Sequence, residues 1–249
     1  MQKNLTRMFL GLSLIALTVF AMPASQARAF GDGQNIGQNQ EARIAKIKSK
    51  AGEEITRRID ALNKLIARVG EMKKLSDVQK SSITTMAQTN ITDLTALKAK
   101  IDADTDLAVL KTDRQGITKS YRIFMLIIPK GHIFAAADRT IATVTLMQES
   151  ITKLQVRITA AQTAGKDVTA FSASITDMQA KLADATTQAN AAVALVTPLV
   201  PDQGVQAQID ANKVAIESAR KDIKVAVTDL KAARADAESI RTGLKAMGF

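Results

Sequence analysis

The chain has no cysteine and no tryptophan, and it has one histidine and one tyrosine among 249 residues. Without cysteine it can form no disulfide, no thiolate metal site and no thiol nucleophile. One histidine excludes the usual zinc ligand sets. Aromatic residues make up 3% of the chain, too few to stack on many bases, so nucleic acid is not an expected partner. We therefore expect no cofactor and no enzymatic activity.

Proline is also scarce, and none lies between Pro23 and Pro129. Long stretches of the chain place apolar residues at steps of three and four, which is typical of amphipathic helices. Strictly periodic segments of about 30–45 residues are long for a globular protein. The sequence therefore predicts an all-α fold, an elongated antiparallel helical bundle or coiled coil of about five long helices.

The N-terminus has the pattern of a secretory signal peptide. Lys3 and Arg7 precede an apolar run, Met8–Met22, which is followed by small and polar residues. Cleavage after Ala27 or after Ala29 fits the small-x-small rule, and the run is shorter than a spanning helix needs. An uncleaved anchor is the alternative. We expect an exported protein, either periplasmic, on the cell surface or secreted.

The predicted organisation has five parts. They are a signal peptide (1–29), a flexible lead-in rich in glycine (30–39), an N-terminal helical hairpin with a connecting helix (40–120), an apolar segment (121–139) and a C-terminal three-helix coiled-coil region (130–249). The motif Ser76–Gln79 predicts a capping box at the start of the second helix. Gly165 is a predicted helix stop and Asp167 the next N-cap.

The predicted core positions form stripes along each helix. In the first helix they are Ile44, Ile47, Ala51, Ile55, Ile59, Leu62, Ile66, Val69 and Met72, and in the second Ile83, Met86, Leu94, Leu97 and Ile101. From residue 133 they are Ile133, Ala137, Ile141, Val144, Met147, Ile151, Leu154, Ile158 and Ala161. The next helix has Val168, Phe171, Ile175, Met178, Leu182, Ala185, Ala189, Ala192 and Val196.

The last helix carries a heptad repeat, which favours a left-handed supercoil. One series of positions lies seven apart at Ile209, Ile216, Ile223, Leu230, Ala237 and Leu244, and Ala219, Ala226, Ala233 and Ile240 lie between them. Asn212 falls in the same seam, where it could fix the register of packing. The pattern does not decide whether this seam closes within one chain or in a homo-oligomer.

Residues 121–139 concentrate the rare side chains of the sequence. Six consecutive apolar residues, Ile123–Ile128, lie between the only tyrosine, Tyr121, and the only histidine, His132. Either this segment crosses the end of the bundle and is buried, or it is the densest part of the core, or it is an exposed apolar tongue. For the exposed alternative, the predicted partner or membrane surface comprises Tyr121, Arg122, Phe124, Ile127, Lys130, His132 and Phe134.

One spacing has the form of a metal site. Asp102, Asp104, Asp106 and Asp113 match positions one, three, five and twelve of a calcium loop. Leu107 stands where such a loop needs glycine, so helix capping by these aspartates is the favoured interpretation.

The stretch Leu94–Arg139 resembles the central segment of small exported α-helical, coiled-coil bacterial proteins of uncharacterised function. This resemblance implies a signal peptide and coiled-coil helices, and it implies no activity and no functional residues.

The formal charge of the chain is +10, and three of these charges lie in residues 1–29, which leaves +7 on residues 30–249. This excess suits an anionic partner, although it also promotes solubility. We expect a non-enzymatic structural or interaction protein that binds a protein partner or an anionic envelope component through helical surfaces. A membrane-active protein using residues 121–134 and a periplasmic holdase-type chaperone are the alternatives.

Overall fold

The computed structural model describes the backbone of residues 29–249 and the side chains of residues 38–249. The predicted signal peptide lies outside the described residues, apart from its last residue. The chain divides into two units, Met1–Ala42 and Arg43–Phe249. The described part of the first unit, residues 29–42, is helical, and its side chains from residue 38 onward are exposed.

Six α-helices and one π-helical turn make up the ordered elements of the described chain. They are α1 (Ala29–Glu71), α2 (Asp77–Ala103), α3 (Leu107–Lys119), the π turn (Ile123–Ile127), α4 (Ile128–Thr163), α5 (Thr169–Val196) and α6 (Gln206–Ala246). Residues 29–249 contain no β-strand. The helices pack against one another, which confirms the predicted all-α bundle. None of the described helices is long and apolar enough to cross a membrane.

The predicted flexible lead-in is helical in the structure. α1 begins at Ala29, so residues 30–39 belong to it. Each glycine in a helix costs only about 1 kcal/mol relative to alanine, whereas proline costs about 3 kcal/mol. Because this stretch has no proline, a helix that forms downstream can extend through its glycines.

The second unit contains two hydrophobic clusters. The first joins α1, α2, α3 and the π turn to the start of α4, the end of α5 and the start of α6. The second is formed by the remaining parts of α4, α5 and α6 alone. The three C-terminal helices therefore run through both clusters, while α1–α3 pack on one half of them.

The predicted helix ends are present. The Ser76 side chain accepts a hydrogen bond from the Gln79 backbone, and the Gln79 side chain accepts one from the Ser76 backbone, which completes the capping box. Gly165 follows α4 at φ 77°, and the Lys166 and Gly165 N–H groups donate to the Ala161 and Gln162 carbonyls, as in a Schellman motif. Val168 occupies the N-cap position of α5, but Asp167 supplies the bond by accepting from the Thr169 N–H.

The seam of α6 is packed mainly through its small residues. Ala219, Ala226 and Ala233 are fully buried, whereas the larger Ile223 and Leu230 are half-buried beside them. Alanine at these positions lets neighbouring helices approach closely. Asn212 is buried and its side-chain amide donates to the Val200 carbonyl at 2.9 Å, so it connects α6 to the preceding loop.

Candidate binding surfaces

The apolar segment crosses the end of the bundle rather than forming an exposed tongue. Arg122 adopts a left-handed conformation, φ 45°, and redirects the chain from α3 into the π turn. Ile123, Leu126 and Ile127 then point into the core with at most 2% exposure. Phe124 and Met125 point outward, because a π turn cannot bury every residue of a continuous apolar run.

Two buried charges hold this crossing against the α5–α6 loop. The Arg122 guanidinium forms an ion pair with Asp202, N–O distance 2.9 Å, and both side chains are largely buried. Lys130 is 1% exposed, and its Nζ donates to the Thr197 carbonyl at 2.6 Å and to the Leu199 carbonyl at 3.3 Å. Burial lowers the pKa of the Lys130 amine to about 8. These contacts give Arg122 and Lys130 an internal structural role.

The structure disperses the predicted surface residues. Ile127, Lys130 and Phe134 are at most 1% exposed, so they belong to the core and cannot contact a partner in this conformation. A sequence cannot show that a lysine beside a proline will be enclosed by a loop that lies about 70 residues away. Tyr121 and Arg122 are half-buried, and burial raises the pKa of the Tyr121 hydroxyl. Phe124 and His132 remain exposed.

Phe124 lies against two arginines of α1. The guanidinium carbons of Arg57 and Arg58 are 5.2 and 5.3 Å from the centre of the Phe124 ring, within cation–π range. The ring is 41% exposed and Met125 beside it is 62% exposed. A cavity of about 440 Å³ lies beside the ring, lined also by Asp60 and Lys64. This end of the bundle presents an apolar side chain among charged ones.

Arg58 itself lies in the core stripe of α1, where sequence analysis had placed the neighbouring Ile59. The buried positions are Ala51, Ile55, Arg58, Leu62, Leu65, Val69 and Met72, and their steps alternate between four and three. Selecting apolar residues alone misses Arg58, and it does not distinguish the buried Leu65 from the predicted neighbour Ile66, which is only partly buried. The regular alternation of four- and three-residue steps identifies positions 58 and 65, because a heptad seam includes these positions whatever residue occupies them.

The four aspartates of the candidate calcium loop have other partners. Asp106 is the N-cap of α3, accepting from the Ala108 and Val109 N–H groups, and Asp104 accepts from the Asp106 N–H. Asp102 pairs with Lys98, and Asp113 pairs with Lys100 at 2.9 Å. Within the part of the chain that the structure describes, no group of three or more acidic or histidine residues could hold a metal ion. Backbone capping accounts for Asp104 and Asp106, and ion pairs account for Asp102 and Asp113.

A second carboxylate, missed in the sequence, connects α4 to the α1–α2 turn. Asp138 is 8% exposed, and its Oδ1 accepts from the Lys74 N–H at 2.5 Å and the Leu75 N–H at 3.1 Å. It satisfies backbone donors that the end of α1 would otherwise leave unpaired. Nothing in its sequence neighbourhood distinguishes it from an exposed helix aspartate.

The helix α1 packs along one face of α4. A Cβ on Gly131 of α4 would lie 2.2 Å from Cδ1 of Leu65, so the two helices are in close contact there. On either side of this contact, the α4 residues that line cavities against α1 are Ile128 and His132, then Ala135 and Arg139. The cavity around His132 has a volume of about 210 Å³, and we call it the His132 pocket.

The same face of α4 continues beyond α1 as an open groove against α6. Stepping from Arg139 by three or four residues leads to Thr143, Leu146 and Ser150, which line a cavity of about 410 Å³. Its other residues are Met147, Met178, Val227, Leu230, Lys231, Arg234 and Ala237. Leu146 is 63% exposed. We call this cavity the α4–α6 groove.

Comparison with known proteins adds no family to this description. No family model, no curated protein and no solved structure matches the chain. Function must therefore be argued from the surfaces themselves.

Proposed function

We propose that this chain is an exported, non-enzymatic interaction protein that binds an amphipathic helix of a partner protein in the α4–α6 groove. The N-terminal signal pattern supports export to the cell envelope or the extracellular space. The observation that carries the binding function is the position of the groove: it continues the α4 face on which α1 packs, and α1 ends at Glu71 before reaching it.

The periodicity of α6 supports a helical occupant. Its heptad repeat runs unchanged from the half that lies beside α1 to the half that lines the groove. Val227 to Ala237 spans about 15 Å of helix axis, so about three turns of a partner helix would cover it. Apolar stripes of this kind are normally covered by another helix.

The lining of the groove indicates the chemistry of the partner. Its apolar residues include Met147 and Met178, whose flexible side chains adapt to differently shaped surfaces. Among the described residues that line it, the charged ones are Lys231 and Arg234, both cationic. The occupant should therefore have an apolar face flanked by acidic residues.

This proposal is tested by photo-crosslinking in cells that make the protein naturally. A photoreactive residue at Leu146 is compared with one at Val156, which is similarly exposed on α4, at 68%, but does not line the groove. We expect crosslinks to a defined protein only from position 146. A purified helical segment of that protein should then bind the wild type and Val156→Asp, but not Leu146→Asp.

Equal crosslinking from both positions would contradict a specific groove. A second copy of this chain is the alternative occupant of the groove, and analytical ultracentrifugation tests for it. If the protein is a dimer that Leu146→Asp dissociates and Val156→Asp does not, the groove is filled by self-association.

A second candidate function, binding at a membrane surface, is favoured by Phe124 and Met125. Both are exposed at the end of the bundle, and the exposed Arg57 could contact anionic headgroups beside them. Flotation with anionic vesicles tests this candidate. Wild type should float, Phe124→Ser should not, and Val78→Ser, a change at a residue 80% exposed elsewhere, should behave as wild type. If wild type does not float, this candidate is wrong.

A further inference from the structure

The His132 pocket gathers positive charge from three helices. It is lined by Lys64 and Arg68 of α1 and by His132 of α4, around the apolar residues Ala61, Leu65 and Ile128. Arg139 of α4 lines the adjoining cavity, which shares Arg68 with this one. Arg220 of α6 is close enough to act on the charge of His132.

The charged groups that affect His132 are all positive. Burial lowers the pKa of the imidazole, and Arg68, Arg220 and Arg139 each lower it further. None of these three arginines takes part in an ion pair within the described residues. Three like charges brought together by different helices repel one another, and a bound anion would relieve that repulsion.

The nearby carboxylates lie at the edges of this cluster. Asp60 lines the cavity beside Phe124, and Glu71 and Asp138 line the cavity beside Arg139. Asp138 is already engaged with two backbone N–H groups. The His132 pocket itself has no acidic lining residue among those described.

We propose that the His132 pocket binds a phosphate group, held by Arg68 and Lys64, which line it, with Arg139 and Arg220 nearby. Guanidinium groups match phosphate oxygens in a bidentate manner, and several of them favour an anion with more than one negative charge over a carboxylate. The neutral imidazole of His132 can donate one further hydrogen bond. The phosphate could belong to a lipid headgroup or to a soluble phosphate compound. The site is separate from the α4–α6 groove and does not depend on the proposed function of that groove.

The only histidine of the chain provides the test, because its imidazole proton signals in an NMR spectrum need no assignment. The pKa of His132 is measured while inorganic pyrophosphate is added at constant ionic strength. We expect the pKa to rise saturably towards or above 6.5, since a bound anion offsets the arginine charges. Chloride at the same ionic strength should not produce this saturation.

Variants separate a built site from general attraction. Arg68→Gln and Lys64→Gln should each weaken pyrophosphate binding about tenfold or more, the effect of losing one charge-assisted hydrogen bond. Arg114→Gln removes the same charge from an exposed position of α3 and should leave binding unchanged. The proposal is wrong if the shift does not saturate, or if all three variants bind equally.

The source of the phosphate is distinguished by a second titration with small vesicles. If phosphatidylglycerol vesicles raise the pKa of His132 and phosphatidylcholine vesicles do not, accessible anionic lipid headgroups are the ligand. If pyrophosphate alone acts, the ligand is a soluble phosphate compound. Neither outcome depends on Leu146, so a failed groove experiment would leave this proposal standing.

Discussion

Arg58 offers the most direct test of how the core of this protein is built. It occupies a position of the α1 heptad that is otherwise filled by aliphatic residues, and it is 6% exposed. Its guanidinium pairs with Glu54 at 2.9 Å, but its Nε has no hydrogen-bond partner among the described residues. Burial is the main cause that lowers the pKa of this arginine. The residue is therefore a buried charge that is only partly satisfied.

We predict that Arg58→Met stabilises the protein. Removing a buried donor that lacks a partner should gain about 1–3 kcal/mol, in line with buried ion pairs replaced by apolar residues. The cation–π contact with the partly exposed Phe124 ring is lost, which costs about 0.5–1 kcal/mol. Glu54 is 23% exposed in its side chain and can regain water. The expected net gain is about 1–2 kcal/mol, or about 2–8 °C in Tm for a chain of this size.

The assay is thermal and urea unfolding followed by far-ultraviolet circular dichroism, because the chain has no tryptophan. Arg57→Met is the matched control. Arg57 contacts the same ring from a similar distance but is exposed, so its substitution should cost no more than the cation–π contact itself, about 0.5–1 kcal/mol. If Arg58→Met is less stable than Arg57→Met by more than about 1 kcal/mol, the ion pair is a net contribution to folding and the argument fails.

Two further predictions concern α4. Gly131→Ala should destabilise the protein by about 1–2 kcal/mol after its gain in helix propensity, because the new Cβ would lie 2.2 Å from Leu65 Cδ1. Gly70→Ala is the control: its new Cβ would meet no neighbouring atom within 4 Å, so it should stabilise the protein by about 1 kcal/mol. Equal unfolding midpoints for the two variants would show that α1 and α4 are not in close contact at Gly131. Folding lowers the pKa of the Lys130 amine from 10.5 to about 8. Between these two pH values the unfolded chain holds more protons than the folded protein, so the free energy of unfolding should increase as the pH rises. Relative to Lys130→Met, wild type should gain up to about 3 kcal/mol between pH 8 and pH 10.5 in urea unfolding, and a constant difference would contradict a buried amine.

Periodicity predicted the core of α5 well because its buried residues are all apolar. In α5, the predicted stripe from Val168 to Val196 matches the residues that are buried or half-buried. The capping box at Ser76 was predictable because both of its hydrogen bonds are local. Such features depend on neighbours within one or two turns, and the sequence alone contains that information.

Prediction failed at buried polar residues, whether their contacts are local or distant in sequence. Asn90, like Arg58, occupies a core position of its helix, and its side chain donates to the Met86 carbonyl. The partners of Lys130 are carbonyls 67 and 69 residues away, and those of Asp138 are N–H groups 64 and 63 residues away. No local pattern specifies such pairs. The sequence therefore left open whether the apolar segment is buried or exposed, and in the structure Ile127, Lys130 and Phe134 are buried.

The same limit explains why sequence analysis did not find the α4–α6 groove. The residues Val144, Met147 and Leu230 follow the core period, and the sequence predicts all of them as buried. In the structure Val144 is buried, whereas Met147 and Leu230 are partly exposed in the groove because no helix lies over them. A core pattern is thus a necessary condition for burial and not a sufficient one. Where α1 supplies the covering helix the pattern is satisfied within the chain, and where α1 has ended the same pattern is left open, at the place where we propose that a partner helix binds.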